Sequence, residues 1–288
     1  YADLSEESQL TDEEIVKYSG NQEKLRAAAD KAVSSWNDNE ASAVRAYTSE
    51  YGANNYRGIN AYLATGERAN DETEKAADAI TKALDHEVGA DCLLFRGVDD
   101  FSRETGLESN DKMLRKIVRG DYSTASKLRD ALVGQEVTNK HIASTSLRRD
   151  VTTYGQRPVQ ILFKTPAKAK GVNISQASVY GGGASKQVQA LAVAMGKSIT
   201  QEDEVAFKPG MRYRIDAVDF SLDTTGKKNR GQVFITATVL TDTSANDSAI
   251  KRPTMSGIRA TLDSVRSLSI DGGPGSGNFG HAGRPGKV

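Results

Sequence analysis

With 288 residues and 38% apolar content, the chain can bury one sizeable core or two modest ones. Its 38 basic residues balance 38 acidic ones, so no global field recruits nucleic acid or an anionic membrane, and a nucleic-acid polymer is excluded as the expected partner. Cys92 stands alone, which excludes an intrachain disulfide, and His86, His141 and His281 lie far apart without HExxH or CxxC spacing, so no metal centre is expected.

In chain order, Thr11 to Glu14 reads as a capping box, and the alanine-rich run from Gln22 to Trp36 has strong helix propensity. Helical patterns follow over Glu40 to Ser49, Asn54 to Leu63 and Glu72 to Leu84, with Tyr56, Ile59, Tyr62 and Leu63 at helical spacing. Strands begin at Cys92, which reads as a small core residue. Two more helical patches cover Asp111 to Val118 and Ser123 to Leu132, before a hydroxyl-rich strand from Ile142 to Leu147. After Pro158 the pattern alternates: Val159, Ile161 and Phe163; then Tyr213, Ile215 and Ala217; then Val233, Ile235, Ala237 and Val239. Helices followed by strands predict an α+β fold, and the absence of a GxGxxG opening a helix argues against a doubly wound dinucleotide-binding domain.

Three strand-end segments carry chemistry. LLFRG, from Leu93 to Gly97, delivers Arg96, whose planar fork suits phosphate or carboxylate. In ASTS, Ser144 and Ser146 share one strand face and Thr145 takes the other, so one hydroxyl can orient a carboxylate while the others tie down backbone. QEDEVAFKPG, from Gln201 to Gly210, sets Glu202 and Glu204 two apart at the entry to an apolar strand, where alternation puts both carboxylates on one face and Asp203, Val205 and Phe207 on the other. Taken singly, each has an ordinary reading: a surface ion-pair partner, strand and turn hydroxyls, and a solvated strand end before a Lys-Pro-Gly turn.

In this order, Arg, then Ser-Thr-Ser, then Glu-x-Glu, the segments resemble the mono-ADP-ribosyltransferase family of clostridial binary-toxin catalytic subunits and their insecticidal relatives. A fourth segment, Tyr47 to Leu63, resembles the family's helical stretch before the arginine strand, with Tyr51, Tyr56 and Asn60 at the spacing of nucleotide-contacting positions. The resemblance runs from about Ala43 to Leu240. It implies an ADP-ribosyltransferase fold of two packed, largely antiparallel β-sheets with an NAD cleft between them, preceded by a helical part. It also implies that NAD is a substrate, with Arg96 and Gly97 at its phosphates, Tyr51, Tyr56 and Asn60 shaping the nucleotide pocket, and Thr145 and Ser146 beside them. Ser144 would hold Glu204, Glu204 would stabilise the positive charge on the ribose as nicotinamide leaves, and Glu202 would receive the acceptor. Glu rather than Gln at that first position goes with arginine as acceptor in the family.

The chain departs from the pattern in places. Ser198, Ile199 and Thr200 stand where an aromatic is expected before the Glu pair, Tyr154 is the nearest substitute for a phenylalanine over nicotinamide, and Arg157 is the candidate helper at a phosphate. The long stretch from Thr165 to Gln201, with Gly181, Gly182 and Gly183 before an apolar run, reads as a lid, a target-binding insertion or a packed structural one.

The expected division is a helical lead over 1–88, a catalytic β core over 89–245, an extension over 246–270 and a flexible tail over 271–288. The tail's 7 glycines and 2 prolines cannot bury enough surface to offset ordering entropy. It resembles Gly-rich segments of some phage head-associated proteins, which would imply a virion-carried enzyme; an ordinary linker is the alternative. No stretch approaches the roughly 20 apolar residues of a membrane span, and no signal peptide is visible. The chain begins at Tyr1, so upstream sequence is expected to have been removed. Delivery as a secreted toxin or with a phage particle, and action in a host cytoplasm on a target protein bearing an acceptor arginine, are the matching expectations.

The alternatives are an NAD glycohydrolase, with water as acceptor, and a virion structural module with a vestigial site. A glycoside hydrolase fits poorly, because its carboxylates flank the scissile bond about 5 to 10 Å apart rather than sharing one side.

Overall fold

The computed structural model describes residues 10–49, 54–66, 70–99, 110–148, 157–178, 203–223 and 230–241, all within the unit Tyr1–Asp242. Five helices lead: α1 (Asp12–Tyr18), α2 (Gln22–Ser35), α3 (Asp38–Thr48), α4 (Tyr56–Thr65) and α5 (Asp71–Ala83). Each starts on a side-chain cap. Thr11 and Glu14 form the expected capping box on α1, Asn37 and Glu40 form a second on α3, and Asn21, Asn55 and Asn70 cap the others.

The strands are β1 (Cys92–Val98), β2 (Glu136–Asn139), β3 (Ala143–Ser146), β4 (Val159–Thr165), β5 (Gly171–Asn173), β6 (Glu204–Phe207), β7 (Met211–Asp223) and β8 (Arg230–Leu240). Helices α6 (Asp111–Val118) and α7 (Ala125–Leu132) lie between β1 and β2, and a short 3-10 turn at Tyr122–Thr124 replaces the expected start of α7. Strand order is β2-β7-β8-β4-β1-β3-β6-β5. All pairings are antiparallel except β4 with β8. A five-stranded half ending in β1 and a three-stranded half beginning with β3 meet at the register pair Phe95 and Ser146. This thin seam is where the two expected sheets join into one ladder, and it is where the arginine and hydroxyl segments come together.

Alternation sorts the side chains into separate cores. Leu94, Ile161, Phe163, Val205, Phe207, Tyr213 and Ile235 form the main core, with Phe163 edge-on to both Phe207 and Tyr213. Ile142, Val172, Ile174 and Ala206, from the other face of the three-stranded half, pack under Val44, Tyr47, Ile59, Ala77 and Ile80 of α3 to α5. Trp36 Nε1 donates to the Ala83 carbonyl at 3.0 Å and ties the end of α2 to the end of α5. The first part of the 165–201 stretch supplies β5, an edge strand; residues 179–202 lie outside the described residues. So do the extension and tail from 243 onward. Among the described residues, no helix is long and apolar enough to cross a membrane.

Tyr18 of α1 and Leu10 just before it cover Leu93 and Leu162. It is fastened by Lys164, which reaches Glu14 at 2.7 Å and Asp216 at 3.0 Å. Burial pushes the Glu14 carboxyl up, but the hydrogen bond and charge of Lys164, with the Thr11 amide, bring it below its usual range. Burial likewise pushes the Lys164 amine down, and Glu14 and Asp216 more than reverse this.

Because the folded-state value of Glu14 is depressed, its stabilisation is present above the unfolded carboxyl value of about 4.3 and is lost as pH falls through the lower folded value. Lys164 has the opposite sign: its stabilisation is complete below about pH 10.4 and is lost as pH rises through its raised folded value. The melting-temperature gap between wild type and Glu14→Gln is therefore expected to be constant near neutrality and to shrink below about pH 4. A gap unchanged at about pH 3 would show that the ion pair is not its source.

Candidate active site

Strand β3 is held between β1 and β6, with Ser144 opposite Ala206 and Ser146 opposite Glu204. The three hydroxyls divide as their alternation predicts. Thr145 is buried and donates to the Val205 carbonyl at 2.7 Å, a structural tie across the ladder. Ser146 accepts from the Arg148 amide at 2.9 Å and fixes the exit of the strand. Ser144 turns to the helical layer, where the Tyr47 hydroxyl meets its Oγ at 3.1 Å.

Tyr47 is buried at the C-terminal end of α3 and was not singled out from the sequence. Ala43, Val44 and Tyr47 form a buried helical stripe, so periodicity alone assigns Tyr47 to packing. The usable signal is that a buried phenol must find a hydrogen-bond partner. It has two, since Asn60 Nδ2 donates to the Tyr47 oxygen at 3.2 Å. Asn60 Oδ1 also accepts from the Ile142 amide at 3.1 Å. Its amide thus satisfies the backbone just before β3 and orients Tyr47 together.

Arg96 leaves β1 and donates from Nη1 to the Ser144 carbonyl at 2.6 Å. Burial pushes the Tyr47 phenol up to about 12, and the charge of Glu204 adds to this, against the hydrogen bonds of Ser144 and Asn60 and the positive charge of Arg96. Tyr47 is therefore a neutral hydroxyl throughout the physiological range, with a carboxylate and a guanidinium both close enough to act on it. The structure brings together Asn60, Arg96, Ser144 and Glu204 of the expected set, and adds Tyr47.

Glu204 opens β6, and its carbonyl accepts from the Ile174 amide at 2.9 Å. The preceding residue departs from expectation. Asp203 has φ of 39°, so its backbone is left-handed rather than extended, and the strand begins at Glu204. The expected shared face of Glu202 and Glu204 involves a residue outside the described ones.

The other expected residues are dispersed. Tyr56 begins α4 with an exposed ring, and its hydroxyl accepts from Arg57 Nε at 2.8 Å. Gly97 pairs with Gln160 in the β1/β4 ladder, and Arg157 forms an ion pair with Asp99. Tyr51, Tyr154 and Glu202 lie outside the described residues. Cys92 is buried in the main core, its thiol pushed up to about 12 by burial and the nearby Asp91 charge. That leaves it no nucleophilic role.

A carboxylate close to hydroxyls can stabilise a developing cation, and a guanidinium at the same seam suits an anionic group of the same ligand. Comparison with solved structures gives the fold its relatives. Plx2a, an ADP-ribosyltransferase toxin from Paenibacillus larvae, is 19% identical with a TM-score of 0.56, over 76% of this chain and 94% of that one. The C3 exoenzyme of Clostridium limosum is 21% identical with a TM-score of 0.53, over 78% and 97%. BECa, the ADP-ribosylating toxin of a binary enterotoxin of C. perfringens, is 18% identical with a TM-score of 0.57 over 76% of this chain; the match spans 47% of BECa's own length. No curated protein matches the chain. The profile of the ADP-ribosyltransferase exoenzyme family matches residues 22–242, well over half of the sequence, and the chain belongs to that family.

Proposed function

We propose that the chain is a mono-ADP-ribosyltransferase that moves ADP-ribose from NAD to an arginine side chain of a target protein. The observation that carries this reading is the meeting of Arg96, Ser144 and Glu204 with Tyr47 and Asn60 at the seam between the two halves of the sheet. The relatives BECa and C3stau2 of S. aureus are described with NADH and with NAD, which supports the same class of ligand here.

The reaction breaks the bond between C1′ of the ribose and the nicotinamide nitrogen, and the electron pair leaves on nicotinamide. Positive charge gathers at C1′ and the ring oxygen, and the Glu204 carboxylate faces it. Such preorganised charge is worth about 100-fold or more in rate. Arg96 neutralises a phosphate of the same molecule. A guanidinium nitrogen of the target then bonds to C1′ and passes its proton to Glu202, because an arginine that stays protonated is a poor nucleophile. The family is one of exoenzymes and its neighbours here are toxins, which supports delivery to a host cell. The glycine-rich tail is the candidate for attachment to a particle.

Nicotinamide release from NAD in the presence of agmatine, a small guanidine, tests the reading. Release coupled to ADP-ribosyl-agmatine is expected from wild type, and its absence would sink the proposal. Tyr47→Phe keeps the ring and removes one hydroxyl, so it is expected to lower kcat about tenfold, the cost of leaving Ser144 and Asn60 without their shared partner. The KM for NAD is expected to change little. A tenfold rise in KM for NAD with kcat unchanged would make Tyr47 a ligand contact instead.

A further inference from the structure

We propose that Phe95 is a positioning residue through which the docking of helix α1 sets the affinity of the site for NAD. The inference rests on the reading of the seam as an NAD site given above, and adds to it a control element far in sequence from the residues of that site.

The seam is thinly held. Strand β1 makes seven register pairs with β4 but one with β3, and that one is Phe95 with Ser146. Backbone pairing therefore fixes β1 firmly within the five-stranded half and weakly against β3. Arg96, the next residue, must nevertheless meet β3 for its Nη1 to donate to the Ser144 carbonyl at 2.6 Å. The remaining hold on Phe95 is side-chain packing. Its ring is partly buried against the cluster of Leu10, Tyr18, Leu93 and Leu162, and so is Ile15 of α1. A shift of Phe95 reaches Arg96 through a single peptide unit.

That cluster depends on α1 being docked, because Leu10 and Tyr18 come from the helix and the residues just before it. A helix of seven residues does not persist alone in water, so α1 is helical only where it is held. Lys164, opposite Leu93 in the β1/β4 ladder, holds it through Glu14, and Ser19 bridges to Cys92 at the start of β1. Asp216, which shares Lys164, is itself fixed by Arg214 at 3.0 Å and by the Thr238 hydroxyl. Few apolar contacts and one ion-pair cluster make α1 a unit that can open while the sheet stays folded. The docked and released states differ in the support given to Phe95, and hence in the seating of Arg96. By linkage, α1 docking strengthens NAD binding, and NAD strengthens α1 docking by the same factor.

The test combines isothermal titration with NADH, which reports affinity without turnover, with KM and kcat for nicotinamide release. It uses the full chain and the variants Phe95→Ala, Phe95→Leu, Ile15→Asp and Val16→Asp. Val16 is 76% exposed on the same helix, so an aspartate there adds the same charge without entering the cluster. The Kd for NADH and the KM for NAD are expected to rise about tenfold for Phe95→Ala and Ile15→Asp, and to stay within about twofold for Phe95→Leu and Val16→Asp, with kcat within about threefold throughout. Saturating NADH is expected to slow amide hydrogen exchange in α1 of the wild type and not of Phe95→Ala.

NADH affinity of Phe95→Ala within about twofold of wild type would overturn the proposal, as would an Ile15→Asp that weakens binding no more than Val16→Asp. A fall in kcat and in folded fraction with KM unchanged gives Phe95 a structural role alone and also overturns it. The Phe95 pair leaves α1 intact, so it decides the question even if Ile15→Asp does not fold. A wild-type chain that binds NADH but releases no nicotinamide overturns the transferase reading alone, the titrations still deciding this proposal, whereas one that does neither overturns both.

Discussion

Glu204→Gln is expected to abolish nicotinamide release, lowering it by about 100-fold or more while the protein stays folded. Gln matches Glu in shape and keeps the β6 backbone, which is paired on both sides through Ser146 and Asn173. What it removes is the negative charge that acts on the Tyr47 phenol in the resting protein and would act on the ribose cation during cleavage. Transfer and hydrolysis fall together, since both need the same bond broken. The comparison with Glu202→Gln sharpens the result. That variant is expected to lose transfer to agmatine and to keep NAD hydrolysis. Release of nicotinamide by Glu204→Gln at more than about a tenth of the wild-type rate would remove Glu204 from the chemistry.

The largest effect on stability is expected at Gly231→Ala. Strand β8 passes so close to the end of α6 that a Cβ on Gly231 would lie 2.0 Å from the Ile117 carbonyl oxygen and 2.9 Å from the Tyr122 hydroxyl. Ile117 is fully buried in the main core and Tyr122 donates to the Ser221 carbonyl at 2.8 Å, so neither can yield cheaply. One methyl group must therefore displace a helix end, which costs about 3 kcal/mol or more. A fall in melting temperature of roughly 6 °C or more, measured by differential scanning calorimetry, is expected for a domain of this size. A melting temperature within about 1 °C of wild type would show that α6 does not pack against β8 as described.

How much of the fold could be read in the residues depended on the range of the interaction. Thr11, with Glu14 three residues on, announces a helix start because both partners are local. The alternation in Val159, Ile161 and Phe163 and in Val233, Ile235 and Ala237 announces two strands, and these prove to be the parallel pair β4 and β8. Strands β2 and β5 were not anticipated, since four and three residues at the sheet edges are too short to show a period. The docking of α1 was equally invisible, because Glu14 and Lys164 are 150 positions apart.

The candidate site divides in the same way. Arg96, Ser144 and Glu204 stand out because their residue types are distinctive at strand ends. Tyr47 does not, since its place in a helical stripe already accounts for it. The left-handed backbone at Asp203 was hidden for a related reason: a single positive φ leaves no mark on composition.

On the proposed reading, the seam of Tyr47, Arg96, Ser144 and Glu204 transfers ADP-ribose to arginine on a protein. The most direct measurement incubates the chain with NAD and separate bacterial and animal cell lysates, then maps the modified peptides by mass spectrometry. The account predicts ADP-ribose on arginine side chains of discrete proteins, released by neutral hydroxylamine and absent with Glu204→Gln. Nicotinamide release with no modified peptide, or modification confined to residues other than arginine, would contradict it.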